Sequence, residues 1–128
     1  MNPVYTQYSS NNGGHYVPGM EFNGILFISG QLSKEPSTGI IPSGGIKEET
    51  KQALLNMELV LQGRGLNRND VLMCRVYTPD VTYWDEINHV YAEFFKDHKP
   101  ARAIIPTTRL HDDCLVEIEA IARIKEEQ

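Results

Sequence analysis

The stretch from Leu115 to Ala122 constrains the fold most. In an extended strand every second side chain faces the same way, so Val116, Ile118, Ala120 and Ala122 form a core face. The other face holds Leu115, Glu117, Glu119 and Ile121, two carboxylates among apolar neighbours. Upstream, Arg102 follows Lys99-Pro100-Ala101 and opens a second apolar run, Ala103-Ile104-Ile105, and a polar turn from Arg109 to Asp113 joins the two. A guanidinium at the mouth of one strand and a carboxylate on the next are the parts needed to bind and process a small acid.

The rest of the chain supplies the cover for that core face. Ser9 to Gly14 reads as loop, with a short edge strand expected around Val4 to Tyr8. Met20-Glu21-Phe22, then Asn23-Gly24, then Ile25-Leu26-Phe27-Ile28 reads as a hairpin with a type I′ turn. It ends at Ser29-Gly30-Gln31, where glycine permits a turn or close approach by a ligand. Leu32 to Gly45 is a long loop. Ile46 to Gln62 is the first helix, with Ile46, Thr50, Ala53, Leu54, Met57, Val60 and Leu61 on one face and Glu48 and Glu49 near its positive end. Val71 to Tyr77 is a strand. Thr82-Tyr83-Trp84-Asp85 is a variant capping box opening a second helix, with Trp84, Ile87, Tyr91, Phe94 and Phe95 as its core face and Pro100 as its stop.

The order β-β-α-β-α-β-β describes a single α+β domain over 1–128, with both helices on one face of a sheet. No helix remains for the opposite face. A partly apolar face without cover predicts a homo-oligomer with any site near its interface.

Composition narrows the partners. The formal net charge of −5 lacks the basic excess of a nucleic-acid or anionic-membrane binder, but leaves room for a small anion held by one arginine. No run reaches membrane-spanning length and no leader pattern opens the chain, so the expected compartment is the cytoplasm. Cys74 and Cys114 are too few for a disulfide framework and are expected reduced and buried. His15, His89, His98 and His111 lack zinc spacing, and His111-Asp112-Asp113-Cys114 reads as a polar turn, so no metal is expected. Trp84, Tyr91, Phe94 and Phe95 read as helix core, and the paired glycines as loop glycines.

Several stretches together resemble the RidA (YjgF) family of reactive-intermediate deaminases. They are Tyr16, Phe27-Ile28-Ser29-Gly30-Gln31, Thr50 through Asn56, Glu86 through Phe95, Pro100-Ala101-Arg102 and Val116 through Ala122, in the family's order and spacing. The resemblance implies a chorismate-mutase-like domain, a mixed sheet of about six strands with two helices on one face, assembled as a trimer with sites between subunits. It also implies cofactor-free hydrolysis of enamines and imines, such as 2-aminoacrylate and 2-iminopropionate, to 2-keto acids and ammonia. Arg102 matches the arginine that grips the substrate carboxylate, and Glu117 the acid that holds the attacking water and shuttles protons. Tyr16, Ser29, Gly30, Asn88 and Ile104 match positions lining the pocket.

The chain departs from the family in three places. Ile104 stands where the family often has cysteine, His15 and Pro18 flank Tyr16 in place of the usual residues, and His111 replaces the proline of a leucine-proline turn. Substrate range is therefore less determined than reaction class. Two other functions stay open: a non-catalytic module that binds small carboxylic acids, and a ribonuclease or translation inhibitor, against which the acidic charge counts. A chaperone-like role through exposed apolar surface also stays open.

Overall fold

The computed structural model describes residues 1–9 and 13–125. The strands are β1 Asn2–Val4, β2 Gly19–Phe22, β3 Ile25–Leu32, β4 Val71–Thr78, β5 Ala101–Pro106 and β6 Glu117–Arg123. The helices are α1 Ile46–Gly63 and α2 Trp84–Phe95. All six strands lie in one sheet, in the order β1-β2-β3-β6-β4-β5. Only β4 and β5 run parallel, joined by the crossover through α2; every other pair is antiparallel. The chain thus forms the expected α+β domain with a six-stranded mixed sheet.

The alternation of β6 decides which face is covered. Ile118, Ala120 and Ala122 are buried, while Glu117, Glu119 and Ile121 are only half-buried. The buried set meets Leu54, Met57 and Leu61 of α1, Ile87 and Phe95 of α2, and Leu26, Ile28, Val71 and Val76 of the neighbouring strands in one core. Every residue predicted for the apolar face of α1 is buried. At the hairpin, Asn23 and Gly24 take φ of 52° and 76°, the left-handed pair a type I′ turn requires. Both cysteines are buried and unpaired, and burial pushes the Cys74 thiol up to about 11.

Four local expectations are corrected. The N-terminal strand is Asn2–Val4 rather than Val4 to Tyr8, and Val4 is buried against β2. The reason lies in α1: a Cβ at Gly63 would sit 2.5 Å from the Tyr5 carbonyl oxygen, so this glycine lets the chain leave the sheet over the helix end. The expected loop from Ser9 to Gly14 falls partly outside the described residues, at 10–12. The capping box at Thr82 does not form. Instead Asp80 accepts from the Thr82 backbone N–H at 2.9 Å and caps a 3-10 turn, Val81–Tyr83, from which α2 starts. At the other end, α2 stops before Pro100, because Lys96 takes φ 56° and its N–H closes on Ala92 O at 2.8 Å.

The fourth correction concerns Trp84, which is 41% exposed rather than core. The face of the sheet away from the helices carries Phe27 beside Ile121, and Phe27 is 48% exposed. Among the described residues, no helix covers this face, and none is long and apolar enough to cross a membrane.

Candidate functional site

The expected site residues fall into two groups within one protomer. The first surrounds Glu117. A cleft of about 1250 Å³ is lined by Tyr16, Ser29, Gly30, Glu117, Glu119, Tyr77 and His111, among others. The pairing of β3 with β6 slips between Ile28 and Gln31, so Ser29 and Gly30 sit in a bulge. Bulges re-aim side chains at sites of this kind. Ser29 Oγ donates to Val17 O at 2.6 Å, and Ser29 N–H donates to Pro18 O at 2.9 Å. With its proton committed, the hydroxyl presents lone pairs to the cleft. Gly30 makes room for the carboxylate: a Cβ there would lie 2.9 Å from Glu117 Oε2.

Glu117 is electrostatically uncomfortable. Burial pushes its carboxyl above the usual range, repulsion from Glu119 adds to the rise, and His111 opposes it. Glu119 is itself occupied, accepting from Tyr77 Oη and lying 3.6 Å from Arg75 Nη1. The Glu119 bond also pushes the Tyr77 phenol up. A carboxyl poised above its ordinary range suits proton transfer near neutral pH.

The second group surrounds Arg102, on the opposite side of the sheet. Asn88 Oδ1, on α2, accepts from Arg102 Nη1 at 2.9 Å. The guanidinium carbon stands 5.3 Å from the Trp84 ring centre and 4.8 Å from that of Tyr91. Trp84, Asn88 and Tyr91 are spaced i, i+4, i+7, so one stripe of α2 fixes the arginine from three directions. The Tyr91 ring is buried, and burial raises its phenol well above the ordinary range. Ile104 shares this face of β5 and packs against the core.

These groups do not meet in one protomer. Arg102 is in register with Cys74, and Glu117 with Tyr77, on opposite sides of β4. Three residues along and two strands across give roughly 14 Å, with the side chains on opposite faces. Asn88 therefore does not share the cleft with Tyr16 and Ser29, as the family pattern implies for the complete site. Among the described residues no group of three or more His, Cys, Asp or Glu is arranged to hold a metal.

Four contributors were not assigned to the site from sequence. Trp84 and Tyr91 were assigned to the core because aromatic residues at helical spacing usually pack there. Glu119 was legible as a face-mate of Glu117, but its capture by Tyr77 and Arg75 depends on strand register. Glu49, expected only as a helix-end acid, is buried and accepts from Ser33 Oγ at 2.7 Å and Leu115 N–H at 2.9 Å. It ties the loop after β3 to the lead-in of β6, behind Glu117.

The family described as Endoribonuclease L-PSP matches residues 6–124. A RutC family protein of Pyrococcus horikoshii is 40% identical over 119 residues, covering 93% of this chain and 94% of the relative. The human 2-iminobutanoate/2-iminopropanoate deaminase is 36% identical over 109 residues, covering 85% of this chain and 80% of the relative. The crystal structure of TdcF from Escherichia coli with bound serine superposes with a TM-score of 0.90 at 31% identity, covering 98% of this chain and 100% of that one.

Proposed function

Because the chain belongs to the endoribonuclease L-PSP family, the RidA (YjgF) family, we propose that it hydrolyses reactive 2-imino acids and their enamine tautomers to 2-keto acids and ammonia. The observation carrying this reading is the pair of complementary half-sites on opposite faces of the sheet. One is a guanidinium held by Asn88, Trp84 and Tyr91; the other is a carboxylate of raised pKa beside Ser29 and Gly30. Each half lacks what the other supplies. A second copy docked on the uncovered face would bring Arg102 of one protomer to Glu117 of another, so the active form is a homo-oligomer, a trimer by the family pattern.

The chemistry then follows from the groups present. Arg102 binds the substrate carboxylate through two parallel N–H donors and fixes the C=N carbon in place. Glu117 takes a proton from water as its oxygen bonds to that carbon, giving a carbinolamine. The same carboxyl returns the proton to nitrogen. As the C–N bond breaks, the carboxylate takes the hydroxyl proton, the C=O bond forms and ammonia leaves. That proton passes to ammonia or solvent, which regenerates Glu117. Ser29 Oγ, with its own proton committed to Val17, accepts from the N–H of the protonated imine. A protonated imine is already electrophilic, so the steps require neither a metal nor a covalent nucleophile.

The human relative's name gives 2-iminobutanoate and 2-iminopropanoate as its substrates, and both are small acids of this class. The test uses 2-iminopropionate freshly generated by an amino-acid oxidase, with semicarbazide trapping what remains. The protein should accelerate loss of the imine, and Arg102→Ala should reduce that rate by about 100-fold or more. Binding of 2-keto acids without turnover would make the protein a carboxylate-binding module instead. Equal acceleration by both forms would remove Arg102 from the site.

A further inference from the structure

The uncovered face of the sheet places two carboxylates in one cleft and holds them differently. Glu117 and Glu119 stand two residues apart on β6, about 7 Å, and both line the cleft. Across the ladder on β4, Tyr77 is the register partner of Glu117, and Arg75 that of Glu119. Direct partners on one face are the nearest neighbours, yet the Tyr77 hydroxyl passes its own partner and donates to Glu119 on the diagonal. Arg75 Nη1 lies 3.6 Å from the same carboxylate. Glu119 is thus held from two sides, and neither of these donors bonds to Glu117.

The arrangement matters in the assembly proposed above, where Arg102 of another protomer enters at Glu117. Arg102 Nη1 is taken by Asn88, and the remaining N–H donors of the guanidinium are the ones a substrate carboxylate would use. A guanidinium pairs as readily with a carboxylate of the protein as with one in solution. The protein's own carboxylate also has the advantage of being tethered, so a dissolved substrate must outcompete it. Glu117 has to stand there as the base. Glu119 does not, and its flexible side chain opens into the same cleft.

We propose that Tyr77 is a positioning residue: its hydroxyl, together with Arg75, keeps Glu119 turned away from Arg102 of another protomer, which leaves that guanidinium free for the substrate carboxylate. Tyr77 acts through Glu119 and touches no reacting atom. Phenylalanine in its place keeps the ring on the sheet and removes the one bond at issue. The effect on turnover rests on the deaminase reading; the effect on carboxylate binding rests only on the site shared between protomers.

The experiment is a double-mutant cycle over Tyr77→Phe and Glu119→Gln. Calorimetry gives Kd for pyruvate, the product keto acid, and steady-state rates give kcat and KM for 2-iminopropionate. Both are measured at about pH 8, well above the ordinary carboxylate range. Tyr77→Phe should raise Kd and KM about three- to fivefold, the size of a half-exposed ion pair between Glu119 and Arg102, and leave kcat within about twofold. In a Glu119→Gln background the same change should have no effect, because no second carboxylate is left to compete. An equal loss in both backgrounds would mean that Tyr77 touches the ligand or supports the fold, and would overturn the proposal. So would a Tyr77→Phe protein that binds as tightly as the parent, or a loss carried by kcat alone. If the parent binds pyruvate without hydrolysing the imine, the deaminase reading fails, and the cycle in Kd alone decides the role of Tyr77. A parent that binds no pyruvate would remove the carboxylate site and this proposal with it.

Discussion

At the scale of single residues, the proposed site sets the stability of the fold against the chemistry assigned to Glu117. The native pKa of Glu117 lies above its unfolded value of about 4.3, because burial and Glu119 disfavour its charge. The folded state then holds the proton more tightly, so the contribution of Glu117 to stability is complete below about pH 4 and is lost as pH rises through the native value. At neutral pH the ionised carboxylate weakens the fold. Glu117→Gln should accordingly lower turnover by about 100- to 10,000-fold while raising the melting temperature at pH 7. The difference in melting temperature should close below about pH 4. A variant that melts lower at pH 7 would show that the carboxylate is stabilised by a partner. Gly30 makes a complementary case. Its φ lies outside the left-handed region, so alanine fits the backbone, but the new Cβ meets the flexible end of Glu117 at 2.9 Å. Gly30→Ala should leave the melting temperature nearly unchanged and reduce kcat/KM by about 10- to 100-fold, because a carboxylate displaced by an ångström loses its alignment.

Single elements show what could be read from the sequence and what could not. The alternation in β6 and the apolar stripe of α1 were legible because one buried face imposes a strict period on each. The Asn23-Gly24 turn was legible because few residue pairs accept two left-handed conformations. The ends of α2 and the place of β1 were not, because each is set by a contact distant in sequence. Gly63 of α1 determines where β1 leaves the sheet, and Asp80 takes over the capping that Thr82 was expected to provide. Arg102 and the carboxylates of β6 stood out in the sequence as a guanidinium and acids on adjoining strands. The family pattern singled out Glu117 and implied the role of each, and their placement on opposite faces needed the register of β4 against both of its neighbours. Trp84 was misassigned because an aromatic on a helix gives no sign, without the strand register, that an arginine lies beneath it. It is also the only tryptophan in the chain. Its emission should therefore change when a small 2-keto acid binds Arg102, and Arg102→Ala should abolish that response. A response that survives the substitution would place the carboxylate elsewhere. Gly63→Ala tests the control of β1: a Cβ at 2.5 Å from a backbone oxygen cannot be relieved by a side-chain rotation. Amide exchange at residues 2–5 should rise while the core strands stay protected.

At the scale of the whole molecule, the uncovered face and the divided site point to the same assembly. Phe27 and Ile121 are register partners on that face, and Phe27 is 48% exposed. A charge placed there by Phe27→Glu should give a folded monomer by light scattering, with activity lost because neither half-site is complete. Mixing two inactive variants separates this from a local defect at Phe27. If Arg102 of one protomer works with Glu117 of another, Arg102→Ala and Glu117→Gln subunits reassembled together form some sites with both native residues. With random mixing in equal amounts, half of the protomers offer a native Arg102 and half a native Glu117, so roughly a quarter of the sites should be intact. Restoration to about that fraction of parental activity is expected once subunits have exchanged. Mixed oligomers that form and stay inactive would mean that both residues act within one chain, which their separation across opposite faces of the sheet argues against.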